Sequence, residues 1–326
     1  MSVSVIIPAY NAEATIERAV MTVINQTRPP IEVIVVDDAS SDGTAEVVRR
    51  LGQADPRVKL LVNPVNRGPS GSRNRGFKAA VGEWVAIQDA DDAWVETRLE
   101  RMLDAATRHD VDFVADNMLL HDIGTDQITR TGFSVEHGLR WIKPIDPFEQ
   151  DVQFGAEFGY GLLQPMIRRQ FLDQHGLAYN ETIRYGEDLI FLVEMLFSGI
   201  RAVIIPDPLY IYTTQVGDVS GVESPHSKSV PRFDLISDGL DLLRSKYPQA
   251  ITPEIDRAMT RLARRYRVVH QTHVAKQQRL QRGLLAYAVY VGRRPAVVAH
   301  VLRLRRRKML ARARAGALAR QNVTQS

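Results

Sequence analysis

Residues 33–44 read VIVVDDASSDGT: four aliphatic residues, two adjacent acids, and a turn rich in Ser, Asp and Gly. A short apolar run that ends in turn residues is typical of a strand buried on both faces of a parallel sheet. The residues that follow, Thr44–Leu51, have the apolar spacing of a helix. The stretch therefore predicts one strand and a helix that leads the chain towards a neighbouring parallel strand.

The alternation of strand and helix patterns continues on both sides of this stretch. The predicted strands are Val3–Ile7, Val33–Val36, Val58–Val62, Trp84–Ile87 and Val111–Ala115, and the predicted helices are Ile16–Ile24, Thr44–Leu51, Ser70–Ala80 and Thr97–Thr107. Apolar strands that alternate with helices predict an α/β fold, a Rossmann-like and mostly parallel sheet with helices on both faces. Ligands of such sheets bind outside the carboxyl ends of the strands. Three polar residues fall just past predicted strand ends and become candidates for ligand contacts: Tyr10, Asp38 and Asp89.

The second part of the chain has a weaker pattern. Asp116 to about Asp151 is less periodic, which predicts a loop-rich insertion, and Val216–Pro231 is predicted to be a flexible loop. Between them, Leu189–Phe197 predicts a helix and Ala202–Ile205 predicts a strand that ends at Pro206.

The last part of the chain is predicted to be helical. From Phe233 the pattern has helical spacing with breaks at Pro248, Pro253 and Pro295. We therefore predict a first domain over residues 1–232, with halves of about 1–115 and 116–232. A basic helical C-terminal region over residues 233–326 would follow it.

Charge is distributed unevenly between these two regions. Of the 42 Lys and Arg residues, 18 lie beyond Asp256, where there is no acid, which leaves 24 against 38 acidic residues in the rest. An acidic body with a basic appendage indicates an anionic partner for the appendage. The chain contains no cysteine, which excludes disulfides, zinc–thiolate sites, iron–sulfur clusters and thiol nucleophiles. No apolar run approaches the roughly 18 residues of a membrane span, and we find no signal-peptide pattern, so we expect a cytoplasmic protein.

Three carboxylates follow the predicted strand Trp84–Ile87, in the segment QDADD at residues 88–92. Carboxylate oxygens suit Mg²⁺ or Mn²⁺, which keep several waters and bridge the phosphates of a substrate. A solvated acidic turn before the next helix would have the same sequence, and a second Asp-x-Asp pair, Asp110–Asp112, falls at a predicted strand start. The segment alone therefore leaves a metal site and a simple turn open.

Four motifs in order resemble the family 2 glycosyltransferases, inverting enzymes with the GT-A fold. The motifs are VIIPAYN at residues 5–11, VVDDASSDGT at residues 35–44, NRG at residues 66–68 with SRNRG at residues 72–76, and DADD at residues 89–92. The resemblance covers about residues 1–115 and returns at GED, residues 186–188. The sequence is similar to those of bacterial exopolysaccharide glycosyltransferases. The resemblance implies transfer of a hexose from a nucleotide diphosphate to a glycan or a lipid-linked oligosaccharide.

The resemblance implies a donor site in the first half of the chain. Pro8 and Tyr10 would flank a uracil ring, and Asp38 would bind the edge of that ring. Asp89 would contact the ribose. The donor would then be a UDP-sugar.

The resemblance also implies the groups that act at the diphosphate and at the acceptor. Asp91 would hold Mn²⁺ or Mg²⁺ on the diphosphate, with Arg73 as a neighbouring cation. Asp188 would be the base that takes the proton of the acceptor hydroxyl. The alternative for Asp188 is an ordinary acidic first turn of a helix, where the helix dipole favours negative charge.

Two features of the family are missing from the chain. The processive synthases of the family carry a Gln-x-x-Arg-Trp segment and membrane-spanning helices, and this sequence has neither. We therefore expect a non-processive enzyme. Many relatives have a histidine near the metal after a late strand, whereas residues 210–215 read YIYTTQ. The sequence thus predicts no third protein ligand for the metal.

The basic C-terminal region predicts a partner of opposite charge. Basic helices with interleaved apolar residues bind anionic membranes, and each cation near the surface contributes about 1 kcal/mol. The same residues could contact nucleic acid or pack against the acidic body. We favour an anionic membrane surface, on the inner face of the cell membrane, because a lipid-linked acceptor would lie there.

Two other functions share part of these patterns. A sugar-phosphate nucleotidyltransferase also combines a Rossmann-like sheet with metal-bound carboxylates, but it would carry a Gly-rich basic loop where this chain has PAYN at residues 8–11. A non-catalytic, nucleotide-sugar-binding membrane scaffold would keep the binding motifs without the activity. An assay with a UDP-sugar and Mn²⁺ distinguishes the three functions. A glycosyltransferase would transfer the sugar, a nucleotidyltransferase would require pyrophosphate, and a scaffold would only bind the nucleotide sugar.

Overall fold

The computed structural model describes residues 1–133, 138–149, 159–214 and 232–304, together with residues 306 and 309. The strands are β1 Val3–Ala9, β2 Glu32–Asp37, β3 Val58–Val62, β4 Trp84–Ile87, β5 Ala93–Trp94, β6 Phe113–Asp122, β7 Gln127–Thr131, β8 Arg140–Trp141, β9 Met166–Arg168 and β10 Ala202–Thr214. The helices are α1 Ile16–Ile24, α2 Thr44–Ala54, α3 Gly68–Ala79, α4 Arg98–His109, α5 Asp146–Glu149, α6 Arg169–His175, α7 Glu187–Phe197, α8 Asp234–Lys246 and α9 Pro253–Gly292.

The strands form one mixed sheet with the order β3-β2-β1-β4-β9-β6-β10-β5, while β7 pairs with β6 and β8 pairs with β10. β3, β2, β1 and β4 are parallel to one another, and β6 is parallel to β10. The short strand β9 joins the two parallel sets, because it is antiparallel to both β4 and β6. The predicted α/β class with a mostly parallel sheet is therefore confirmed.

The stretch that opened the sequence analysis forms β2 and α2. All six residues of β2 are buried, as expected for a strand that is covered on both faces. Helix α1 buries one apolar stripe, Ile16, Ala19, Val20 and Val23, which is the face that its 3.6-residue spacing predicts.

Helix α3 packs closely on β1. A Cβ atom added at Gly76 would lie 2.4 Å from Cγ2 of Ile6, so only glycine allows this approach. Arg73 lies one turn before Gly76 on the same helix and is buried, with 3% exposure. The close packing thus fixes the depth at which Arg73 enters the site described below.

Strand β6 corrects one prediction. The region from Asp116 is not a loop-rich insertion at its start, because β6 continues to Asp122 and then turns into β7. The sequence pattern fails here because Asp116 and Asn117 are polar but buried. Asp116 is neutralised by Arg98, with 2.7 Å between Oδ1 and Nη2.

Strand β10 corrects a second prediction, because it does not end at Pro206. It runs from Ala202 to Thr214 and crosses two prolines, with shifts of register between Ile205 and Pro208 and between Pro208 and Tyr210. Bulges of this kind accommodate residues that cannot donate a ladder hydrogen bond. The strand therefore reaches the carboxyl edge of the sheet. The predicted loop Val216–Pro231 lies outside the described residues.

The chain divides into two compact units, Met1–Val222 with Gly239–Met259, and Glu223–Asp238 with Thr260–Ser326. This division differs from the boundary that we predicted between residues 232 and 233. The segment Gly239–Met259 belongs to the first unit because it packs on α7: Lys246 Nζ lies 2.6 Å from Glu194 Oε1.

The second unit is helical in its described part. Phe233 stacks on Tyr266 at 6.1 Å, and the Ser237 hydroxyl donates to the Ala263 carbonyl oxygen. At Gly283 the backbone of α9 leaves helical geometry, with φ 83° and ψ −177°, so α9 consists of two helices joined at a kink. Within the described part of the chain, we find no helix with the length and apolar character that crossing a bilayer requires.

Candidate active site

The candidate residues gather at the carboxyl ends of three adjacent strands. Tyr10 follows β1, Asp38 follows β2, and Asp89 and Asp91 follow β4. Since β2, β1 and β4 are consecutive and parallel, these ends lie side by side at one edge of the sheet. Pro8 is the penultimate residue of β1, and the ring of Tyr10 is 39% exposed, which leaves it accessible to a ligand.

Asp38 is buried and organises the loop that leads into α3. One carboxylate oxygen accepts hydrogen bonds from Asn63 Nδ2 at 2.7 Å and from the Arg67 backbone N–H at 2.8 Å. The other accepts from the Gly68 backbone N–H at 2.8 Å. Both oxygens of Asp38 thus have protein donors, and contact with a nucleotide base remains a prediction.

Arg73 joins the two sides of the site. Its Nη2 lies 3.1 Å from Asp89 Oδ1, and its Nη1 lies 3.1 Å from Asp188 Oδ1 and 3.4 Å from Glu187 Oε1. The guanidinium group is 4% exposed, so these contacts are poorly screened by water. The structure therefore brings together three predicted residues, Arg73, Asp89 and Asp188, which are distant in sequence.

Asp188 has an environment that suits a base. It lies in the first turn of α7, which Gly186 precedes with φ 74°. Burial raises the pKa of Asp188 to about 7 against the lowering effect of Arg73, and the charges of Glu187 and Asp89 raise it further. A carboxylate that titrates near neutral pH is well matched to general base catalysis.

Asp89 is held on both of its oxygens. Arg73 binds Oδ1, and Gln164 Nε2 donates to Oδ2 at 2.7 Å. The backbone of Gln164 is fixed in turn, because its carbonyl oxygen accepts a hydrogen bond from Arg98. Arg98 is the buried partner of Asp116 on β6. Asp89 is therefore tied to the interior of the sheet.

Asp91 and Asp92 have opposite environments. The side chain of Asp92 is buried, and its oxygens accept from the Tyr210 hydroxyl at 2.6 Å and from the Thr213 backbone N–H at 2.7 Å. The side chain of Asp91 is exposed, and its carbonyl oxygen accepts from Arg18. Partial desolvation and the charge of Asp89 raise the pKa of Asp91.

The donor set at this edge fits a hard divalent cation. Asp91 offers an exposed carboxylate, and its repulsion by Asp89 would be relieved by positive charge. The described residues contain no group of three acidic, His or Cys side chains placed to hold a metal. Mg²⁺ and Mn²⁺ need few protein ligands, because they keep waters and bind substrate phosphates.

Several contacts of the site could not be predicted from the sequence. They involve Arg18, Gln164, Tyr179 and Tyr210, which bind the aspartates through hydrogen bonds. Only Tyr210 offered a signal, since it lies in the strand where family members place a metal-side histidine. The other three lie in no recognisable motif.

Residues 4–176, more than half of the chain, match the profile of the family described as "Glycosyl transferase family 2". The class of the protein is therefore that of a glycosyltransferase. The chain belongs to glycosyl transferase family 2, which confirms the resemblance seen in its motifs. The match favours sugar transfer over the nucleotidyltransferase alternative.

Curated relatives include two succinoglycan biosynthesis proteins of Rhizobium meliloti (strain 1021). ExoO is 36% identical over 222 residues, which cover 68% of this chain and 63% of the relative. ExoU is 29% identical over 310 residues, which cover 92% of this chain and 86% of the relative. The chain thus spans less than two thirds of the first relative's length. The Escherichia coli enzyme named UDP-Glc:alpha-D-GlcNAc-diphosphoundecaprenol beta-1,3-glucosyltransferase is 39% identical over 115 residues, 35% of this chain and 45% of that protein.

Solved structures confirm the fold class. TarS of S. aureus in complex with UDP-GlcNAc has a TM-score of 0.62 at 20% identity, over 90% of this chain and 80% of that one. The mannosyltransferase PcManGT of Pyrobaculum calidifontis in complex with GDP-Man and Mn²⁺ has a TM-score of 0.54 at 21% identity, over 89% and 78% of the chains. At these identities the likeness concerns the fold alone.

Proposed function

We propose that the protein transfers a hexose, with inversion and one sugar per encounter, from a nucleotide diphosphate sugar to a glycan or lipid-linked oligosaccharide. The observation that carries this proposal is the buried guanidinium of Arg73, which contacts both Asp89 and Asp188. It joins Asp89 to a carboxylate whose pKa is raised by burial to about 7. A transferase needs such an arrangement, because its two substrates must react across one short gap.

On the donor side, Pro8 and Tyr10 would lie against a nucleobase near Asp38, and Asp89 would accept a hydrogen bond from the ribose. The exposure of Tyr10 and the fixed geometry of Asp89 support these roles. We propose uracil as the base, because the named E. coli relative uses UDP-glucose and the fold neighbour TarS binds UDP-GlcNAc.

A divalent cation, Mn²⁺ or Mg²⁺, would be held by Asp91. When bound, it would neutralise charge that develops on the diphosphate leaving group. Arg73 lies close to Asp89 and would add charge-assisted hydrogen bonds near the same phosphates. The complex of PcManGT with GDP-Man and Mn²⁺ supports metal use by a protein of this fold.

On the acceptor side, Asp188 would accept the proton of the attacking hydroxyl. The new bond forms between that oxygen and the anomeric carbon as the bond to the diphosphate breaks, and its electron pair leaves with the diphosphate. A single in-line displacement without a sugar–enzyme intermediate inverts the anomeric centre. The succinoglycan proteins among the relatives support a role in exopolysaccharide or cell-envelope synthesis.

Exposed residues of the second unit support a membrane surface as the location of this reaction. Helix α9 exposes three leucines close to its kink at Gly283. Leu280 precedes the kink and is 79% exposed, whereas Leu284 and Leu285 follow it and are 67% and 79% exposed. Arg279 and Arg282 are interspersed with them. Apolar and cationic residues together suit an anionic membrane surface. We propose a peripheral association with the inner face of the cell membrane, near a lipid-linked acceptor.

Calorimetric titration with UDP tests the donor site. We expect binding of UDP that depends on Mn²⁺ and disappears with EDTA, and we expect Asp91→Ala to lose the metal-dependent part of the affinity. The matched control is Asp104→Ala, an exposed carboxylate on α4 away from the site. If Asp91→Ala bound UDP and Mn²⁺ as the wild type does, Asp91 would not be the metal ligand.

A further inference from the structure

Tyr179 contacts the proposed base directly. Its hydroxyl donates a hydrogen bond to Asp188 Oδ1 at 2.9 Å. Burial and the charge of Asp188 raise the pKa of Tyr179 well above its usual value, so the hydroxyl stays protonated and remains a donor. No motif of the sequence pointed to this residue.

The position of Tyr179 is tightly fixed. Asn74 on α3 clamps its backbone in both directions: the Tyr179 N–H donates to Asn74 Oδ1 at 2.8 Å, and Asn74 Nδ2 donates to the Tyr179 carbonyl oxygen at 2.9 Å. The ring stacks on Phe191 with 4.1 Å between centroids and on Phe77 at 5.9 Å. With 4% exposure, the ring is buried in this close packing, which restrains its rotamer.

Tyr179 and Arg73 bind the same oxygen of Asp188. Arg73 Nη1 lies 3.1 Å from Oδ1, the atom that also accepts from the Tyr179 hydroxyl. The guanidinium carbon of Arg73 lies 5.2 Å from the centroid of the Tyr179 ring, so the two donors also stabilise each other's position. Among the described residues, no hydrogen bond to Oδ2 of Asp188 accompanies these contacts.

We propose that Tyr179 is a positioning residue, which together with Arg73 holds Oδ1 of Asp188 and reserves Oδ2 for the proton of the acceptor hydroxyl. The inference rests on the proposed function, since it assigns the atom through which the base acts. Two partners on Oδ1 restrain rotation of the carboxylate, so Oδ2 keeps one preferred direction relative to the bound donor. Tyr179 itself transfers no proton.

The structure also predicts an electrostatic consequence. The charged groups that act on Asp188 are Arg73 on α3, Glu187 on α7 and Asp89 after β4, together with the Tyr179 hydroxyl. Burial is the largest cause of the raised pKa of Asp188, whereas the hydrogen bond from Tyr179 lowers that pKa because it favours the ionised form. Loss of the hydroxyl should therefore raise the pKa of the base.

The variant Tyr179→Phe tests this role, because it keeps the stacked ring and removes only the hydroxyl. With full-length protein, UDP-sugar and a saturating acceptor, we expect kcat to fall about 10- to 100-fold, the loss of one hydrogen bond to a charged group. We expect KM for the donor to change little. The acidic limb of the profile of kcat against pH should move to higher pH.

Tyr247→Phe is the matched control. Its hydroxyl also bonds within the first unit, to Ser198 and Glu194, but it has no contact with the aspartates of the site. We expect wild-type kinetics. Unchanged UDP binding by Tyr179→Phe establishes that this variant is folded.

Two results would overturn the positioning role. One is a wild-type kcat and pH profile in Tyr179→Phe, and the other is a reduced kcat without any shift of the acidic limb, which would indicate structural support only. Asp188→Asn separates this failure from failure of the proposed function. If Asp188→Asn is inactive while Tyr179→Phe behaves as the wild type, Asp188 remains the base and only the role of Tyr179 is wrong.

Discussion

At the scale of single residues, the ionisation of Asp188 sets the pH dependence of the proposed reaction. Burial, together with Glu187 and Asp89, raises the pKa of Asp188 to about 7, while Arg73 opposes the shift. Only the ionised carboxylate can accept a proton, so we expect transfer to rise with pH through about 7 and to level off above it. Initial rates measured between about pH 5 and 9 check this prediction.

The variant Asp188→Asn supplies the control for that profile. The amide cannot accept the proton, so we expect loss of transfer at every pH with donor binding retained. Equal turnover by the variant and the wild type would remove Asp188 from the mechanism.

The residues of the site divide by how well the sequence predicts them. Asp89 and Asp91 follow a strand end and Asp188 lies at the start of a helix, all within recognisable motifs. Arg73 lies in another such motif. Their partners do not, because Gln164 meets Asp89 across 75 residues of sequence and Tyr179 meets Asn74 across 105. Such pairs form only because the tertiary fold brings distant segments of the chain together, and no local sequence pattern predicts which segments will meet.

At the scale of elements, the contact of α3 with β1 sets the position of Arg73. We expect Gly76→Ala to destabilise the protein by about 1–3 kcal/mol through overpacking, because the new methyl would lie 2.4 Å from Ile6 Cγ2. The displaced helix should also weaken donor binding through Arg73. Urea unfolding and UDP titration measure the two effects.

Gly292→Ala is the control for this variant, because a methyl at Gly292 meets no atom within 4 Å. Its effect should stay within about 0.5 kcal/mol. If Gly76→Ala were as stable as this control, the tight packing of α3 on β1 would not constrain the site.

Elements were predictable where the apolar pattern continues unbroken along the element. The spacing of α1 and the apolar runs of β3 and β4 gave the observed bounds, Ile16–Ile24, Val58–Val62 and Trp84–Ile87. β6 and β10 were predicted too short, since a buried ion pair and two prolines imitate the composition of loops. In both strands, contacts with residues distant in sequence stabilise positions at which the local sequence pattern predicts a strand end.

At the scale of the whole molecule, the exposed leucines of the second unit predict membrane association. We expect the triple variant Leu280→Glu, Leu284→Glu and Leu285→Glu to bind anionic vesicles at least about tenfold more weakly, because it removes apolar surface and adds negative charge. Co-sedimentation with vesicles of phosphatidylglycerol and phosphatidylcholine measures the binding, and vesicles of phosphatidylcholine alone report the contribution of charge.

The double variant Ile123→Glu and Ile128→Glu is the matched control, since these side chains are 46% and 49% exposed in the first unit. It should bind vesicles as the wild type does. Equal sedimentation of the triple variant and the wild type would exclude the leucines of α9 as a membrane anchor.

The buried pair of Arg98 and Asp116 constrains how this sequence can change over generations. The side chains are 0% and 1% exposed, and Arg98 also supports Gln164 beneath Asp89. Loss of either partner alone would leave an uncompensated charge in the interior, at a cost of about 3–5 kcal/mol. Homologous sequences can therefore lose the pair only if both residues are replaced nearly together. The two positions, 18 residues apart, should covary among homologues.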